Sequence, residues 1–193
     1  MASLVLTGDT SGQVTISAPA VAGTNTLTLQ AATATNSVNT LATAVASTSG
    51  TSISFTSLPS WIKRITVMLN AVSSGGSSIY LVQLGTGGTA TTTGYLTSAS
   101  QISTGVSTAF YTTGFAIWHN VSNQVWSGHL TLTNISGNIW VGSGTFASQT
   151  GTTLTCPSAG NITLGGALDM VRFTTVNGTD LFNAGSVNIL YEG

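Results

Sequence analysis

Trp61-Ile62-Lys63-Arg64-Ile65-Thr66-Val67-Met68-Leu69-Asn70-Ala71 is the stretch on which the fold turns. Read with a period of two, it places Trp61, Lys63, Ile65, Val67 and Leu69 on one face and Ile62, Arg64, Thr66 and Met68 on the other. Its β-branched and apolar residues favour an extended chain. Because both faces are largely apolar, the pattern predicts a central strand, with one face in a core and the other against a second sheet or subunit. Leu168-Asp169-Met170-Val171-Arg172-Phe173-Thr174-Thr175 has a similar make-up and sets Arg172 in a similar context.

Outward from this stretch, short alternating runs are separated by glycine-rich turns. Strands are expected at 51–56, 64–71, 78–84, 113–119, 124–134, 139–144, 161–163, 169–175 and 186–191. Runs of this length at turn-punctuated spacing predict an all-β antiparallel sandwich, with a jelly roll as the leading topology. Upstream, Leu4 and Leu6, Val14 and Ile16, then Val21, Leu27 and Leu29 punctuate residues 1–30, which read as a small β-rich arm. Residues 31–50 carry small side chains with few branched ones and read as a linker, and 51–193 as the sandwich domain.

Only seven of the 193 residues are charged: Asp9, Lys63, Arg64, Asp169, Arg172, Asp180 and Glu192, for a net charge of -1. A typical domain of this size carries about fifty. A surface of Ser, Thr, Asn and Gly does little to repel copies of itself, so the composition points to a part of an assembly. Nucleic-acid binding is disfavoured, since phosphate neutralisation requires clustered Lys and Arg. No apolar run is long enough for a transmembrane helix, despite the positive mean hydropathy. The N-terminus lacks the basic and apolar regions of a signal peptide, so synthesis in a cytoplasm is expected. One cysteine, Cys156, excludes an internal disulfide. With charges so scarce, Arg64 or Arg172 is expected to pair with Asp169, Asp180 or Glu192, because a partly buried guanidinium needs an acceptor.

The chemistry-bearing residues are few. His119 and His129 are isolated in sequence, and no G-x-S-x-G frame activates a serine. Two histidines, one cysteine and four carboxylates make a metal site improbable, and no cofactor is expected. Asp169 and Asp180 flank a candidate turn at Asn177-Gly178, a conceivable glycosidase pair, although an arginine partner suits Asp169 better. Leu84-Gly85-Thr86-Gly87-Gly88-Thr89-Ala90 lacks the following helix of a phosphate-binding loop and reads as a mobile surface loop. Thr spacing is too irregular for a flat Thr-based binding array. Sugar binding usually combines aromatic platforms with amides, which makes Trp118, Asn120, Asn123 and Gln124 the candidate contacts, with the turn from Asn120 to Gln124 the best exposed. Trp126 and Trp140 are expected in the core or a subunit contact.

The wording of four segments carries a resemblance. SGQVTISAPAVAGTNTLTL at 11–29, LPSWIKRITVMLNAVSSGGSS at 58–78, SGHLTLTNISGNIWVGSG at 127–144 and GALDMVRFTTVNGTDLFNAGSVNILYEG at 166–193 cover about half the chain. They resemble small structural proteins of tailed bacteriophages, of the tail-fibre or head-decoration (cement) type. The resemblance implies a non-enzymatic homotrimer located in the virion, bound to the major capsid protein or a tail component through the N-terminal arm. An isolated hairpin is marginal in water, so Leu4, Leu6, Val14, Ile16, Val21, Leu27 and Leu29 would need partners from sister subunits or the virion. The chain has no shaft repeat, which favours capsid decoration that stabilises the shell. The alternative is a short tail fibre that binds host surface glycans.

Overall fold

The computed structural model describes residues 3–7, 13–17, 39–150 and 154–193. The chain divides into two compact units, Met1–Asn36 and Ser37–Gly193. In the first, β1 (Ser3–Thr7) and β2 (Gln13–Ser17) pair as an antiparallel hairpin that sets Leu4 opposite Ile16 and Leu6 opposite Val14. Val21, Leu27 and Leu29 lie outside the described residues.

The second unit is an all-β antiparallel sandwich. Its strands begin with β3 (Asn39–Leu41), β4 (Val45–Ala46), β5 (Ser52–Phe55), β6 (Arg64–Ser74) and β7 (Tyr80–Thr86). The middle of the chain supplies β8 (Thr89–Ala90), β9 (Leu96–Ile102), β10 (Val106–Tyr111), β11 (Phe115–Ile117) and β12 (Trp126–Ser136). β13 (Ile139–Ser148), β14 (Thr155–Thr163), β15 (Met170–Thr175) and β16 (Phe182–Glu192) complete it. One sheet has nine strands in the order β10-β9-β14-β13-β12-β6-β16-β3, with β4 also on β16. The other has five in the order β11-β7-β15-β5, with β8 on β7. Nine strands against five differ from the eight of a jelly roll.

β6 contains most of the stretch that opened the sequence reading, and it lies between β12 and β16 in the large sheet. Ile65, Val67 and Leu69 face inward and are buried, whereas Thr66 and Met68 are half-buried and Arg64 is exposed. Only one face of β6 is therefore in the core. Trp61 and Lys63 precede the strand and are exposed; the Trp61 ring packs tilted on Tyr191 at 5.8 Å. The inward parity changes after Asn70. Ala71 has φ 53° and faces Gly185 at φ 89°, where any Cβ would collide with the Ala71 carbonyl. This bulge shifts the register against both neighbours and brings Val72 and Ser74 into the interior.

Opposing rows fill the space between the sheets. Ile65, Val67, Leu130, Leu132, Val187 and Ile189 from the large sheet are fully buried, as are Val82, Leu84 and Phe173 from the small one. Tyr80, Phe173 and Phe182 form an aromatic cluster with ring centroids 5.1–6.0 Å apart. Each such side chain contributes about 1.5–3 kcal/mol of transfer free energy on burial.

Three sequence expectations change. Within the expected linker 31–50, residues 39–41 and 45–46 are instead β3 and β4, paired to β16. Ser47, also in that segment, is fully buried and donates its hydroxyl to Ala184 O at 2.6 Å. The glycine-rich segment 84–90 is a tight hairpin, because Gly87 and Gly88 both adopt positive φ (60° and 72°), as a two-residue primed turn requires. Finally, β9 and β10 arise from LTSASQI and VSTAFY, where Ser, Thr and Ala conceal the alternation.

Candidate functional surfaces

The large sheet presents a nearly charge-free outer face. The register carries one row across eight strands: Leu41, Leu190, Thr66, Thr131, Ser143, Ala159, Ser98 and Phe110. Small hydroxyl and methyl groups fill its middle, while the end residues Leu41 and Phe110 are 64% and 62% exposed. Phe110 and Val106, at 68%, stand on the edge strand β10. Apolar side chains on an open edge are the kind of surface that pairs with another chain.

Arg64 and Glu192 are cross-strand partners at one corner of this face and form an ion pair of 2.5 Å. That pairing agrees with the sequence expectation, but the guanidinium is exposed rather than partly buried. The hydrogen bond to Glu192 and its negative charge raise the Arg64 pKa above its ordinary value. Exposed pairs contribute little to stability. Glu192→Gln should therefore leave the melting temperature within about 3 °C of wild type in a calorimetric scan. A larger loss would show that the pair anchors the C-terminal strand.

The other expected charge pairs are not formed. Arg172 instead donates from Nε and Nη2 to Gln83 Oε1, at 2.9 and 2.6 Å. Asp169 Oδ2 accepts from the Gly88 amide at 2.9 Å. Asp180 accepts from the Ser78 amide at 2.9 Å and from Asn177 Nδ2 at 2.6 Å. Asp169 precedes β15 and Asp180 follows it, so an extended strand of about 20 Å separates their backbones. A glycosidase pair needs carboxyls about 5–9.5 Å apart, and these two serve as local backbone caps instead.

Ser74 and His119 meet in the interior. His119 Nδ1 accepts from Trp126 Nε1 at 3.1 Å, so the proton of the neutral ring sits on Nε2. Nε2 lies 3.0 Å from Gly76 O and 3.1 Å from Ser74 Oγ, and Tyr80 donates its hydroxyl to Ser74 Oγ at 3.2 Å. The Tyr80 ring stacks on His119 at 4.1 Å. Ser74, Tyr80, His119 and Trp126 have no solvent exposure. Burial lowers the His119 pKa, opposed by the Gly76 hydrogen bond and the Asp180 charge. Burial also pushes the Tyr80 phenol up to about 12 and the Cys156 thiol to about 11. The arrangement is a polar rivet in the core, with its hydroxyl closed to solvent.

The residues expected at a glycan site are brought together only in part. Asn120, Asn123 and Gln124 line a hollow of about 460 Å³ with Gln101, Ser122 and Thr150. Asn120 donates to Gln101 Oε1 at 3.3 Å, and Asn123 adopts a left-handed backbone with φ 59°. Gln124 is buried, and its Oε1 has no partner among the described residues. Trp118 lies outside this lining. It is half-buried against the core, with its amide directed to Cys156 Sγ at 3.1 Å, so it provides no stacking platform there. Trp126 and Trp140 are core residues, as expected.

Among the described residues, no helix is long and apolar enough to cross a membrane, and no three metal-ligating side chains converge. Comparison with protein-family models, with curated proteins and with solved structures found no match to this chain.

Proposed function

We propose that this chain is a non-enzymatic structural protein of a bacteriophage virion, a homotrimeric decoration protein that cements the head surface. The observation that carries the reading is the outer row of the large sheet, which crosses eight strands without a charge and ends in exposed Leu41 and Phe110. Such a face suits contact with flat, neutral protein surfaces, where hydroxyl hydrogen bonds and apolar burial supply the affinity. The hairpin of β1 and β2 belongs to a separate compact unit, consistent with an attachment arm that gains partners from sister subunits or the capsid. Synthesis in the host cytoplasm followed by assembly onto the particle fits this reading.

A second reading, a short tail fibre that contacts host glycans, is favoured by one observation. The hollow at Asn120, Asn123 and Gln124 is lined mainly by amides and hydroxyls, with Val121 and Leu154, and carries no charge among its described residues.

The test has two parts. Native mass spectrometry should report a trimer, and cryo-electron microscopy of the virion should place the protein on the head. Deletion of residues 1–36 should leave a folded sandwich that no longer binds the particle. A stable monomer at micromolar concentration, or undiminished attachment without the arm, would refute the decoration model. Density confined to the tail would favour the fibre.

A further inference from the structure

Arg172 is held in an unusual way for one of only three cationic side chains. Arg64 pairs with Glu192, and Lys63 is exposed. Arg172 is half-buried on the outer face of the small sheet, opposite Gln83 in the β7–β15 ladder. Gln83 is 3% exposed; it takes the Nε edge of the guanidinium on Oε1 and donates Nε2 to Thr113 O at 2.7 Å. The fork is thereby clamped through a neutral amide. Two of its five N–H groups are used, and among the described residues no carboxylate meets the outer Nη1/Nη2 edge.

Retaining an unneutralised half-buried cation costs free energy, and natural proteins pair such groups. Arg172 lines a hollow of about 250 Å³. Thr51, Ser52, Thr92 and Thr113 line it, and Arg172 is the only charged residue among its described lining. Its volume lies below the usual range for drug-sized ligands and suits a single sugar ring. No aromatic face is among its described lining, so the guanidinium must provide the main recognition. A planar carboxylate matches the free edge in a two-point contact. A phosphate dianion suits the site less well. The described lining holds no second cation, and Asp180, bonded to Asn177 in the hollow wall, adds negative charge nearby.

We propose that this hollow is a binding site for a uronic acid, with the sugar carboxylate on the outer edge of Arg172 and the sugar hydroxyls against the threonine and serine side chains. The site is distinct from the neutral hollow at Asn120–Gln124. It does not depend on the arm or on the virion placement.

The test is an NMR titration of the full-length wild-type protein, following the Arg172 Nε–H and Gln83 side-chain amide signals. Sodium glucuronate should shift both signals with a dissociation constant in about the millimolar range. Glucose should leave them unmoved, and acetate should act more weakly than glucuronate. Arg172→Gln should weaken glucuronate binding about tenfold or more, and Arg172→Lys should fall between, since it keeps the charge and loses the fork. Should Arg172→Gln fail to fold, Thr92→Ala in the wall supplies the second reading, with an expected loss of a few-fold. Absence of a glucuronate shift in wild type, or an equal shift in Arg172→Gln, would overturn the proposal. Preference for phosphate, or for a glutamate-containing peptide over glucuronate, would overturn the sugar assignment.

Discussion

Trp126→Ala should lower the melting temperature by on the order of 10 °C or more, the largest stability loss expected from a single side chain here. Trp126 is fully buried in β12, beside Val72 across the bulge of β6. Truncating a buried tryptophan costs about 3–5 kcal/mol through lost transfer energy and the cavity left behind. The total stability of a domain is only about 5–15 kcal/mol. A second loss compounds the first. The indole Nε1–H is the donor to His119 Nδ1, and its removal leaves a buried acceptor without a partner. Trp126→Phe separates the two effects. It keeps most of the ring and removes the N–H, so it should cost about 1–3 kcal/mol, measured by urea unfolding. If Trp126→Ala melted within about 3 °C of wild type, the core around β12 would be far more adaptable than its packing implies.

Acid should destabilise the sandwich through His119, beginning near pH 6.5. In the unfolded chain the imidazole titrates at about 6.5. In the native state burial lowers that value, with the Gly76 hydrogen bond and Asp180 opposing. Above the unfolded value both states are neutral, and stability is independent of this group. Below it the unfolded chain takes up a proton that the folded chain resists, so stability falls until the native value is also passed. Protonation is resisted for a geometric reason as well: Nδ1 would acquire a hydrogen that points at the Trp126 N–H. Tyr80 stacks on the ring and remains neutral throughout this range, since its phenol titrates near 12. His119→Gln preserves one acceptor and one donor without titrating. Urea midpoints at pH 7.5 and 5.0 should therefore differ in wild type and differ much less in His119→Gln. An equal pH dependence in both proteins would assign it to other groups.

The two networks differ in how far the sequence announced them. His119 was visible as a lone histidine, and Arg172 as a cation in an apolar strand. Neither partner was visible. Gln83 lies 89 residues from Arg172, and Ser74 lies 45 from His119. Asn120, Asn123 and Gln124 stand out in the sequence as neighbouring amides, but that they line a hollow, with Gln124 buried, is decided by the fold. Trp118 is half-buried against the core and outside the hollow, which fits the core role the sequence favoured for these aromatics rather than the glycan contact. β9 and β10 were missed. Ser, Thr and Ala can occupy either side of a strand, so their burial pattern emerges only once neighbouring strands cover them.

By itself the sequence determined an all-β fold with β6 inside a sheet, a mostly uncharged surface, and a separate β-rich N-terminal segment. Those properties follow from local features: a two-residue side-chain period, turn-forming glycines and composition. Tertiary structure alone decided which strands pair, that the bulge at Ala71 and Gly185 carries Ser74 inward, and that Arg172 meets an amide while Asp169 and Asp180 cap opposite ends of β15. Strand register joins residues tens of positions apart, and a single inserted residue reverses which face a side chain occupies. Local periodicity contains neither fact.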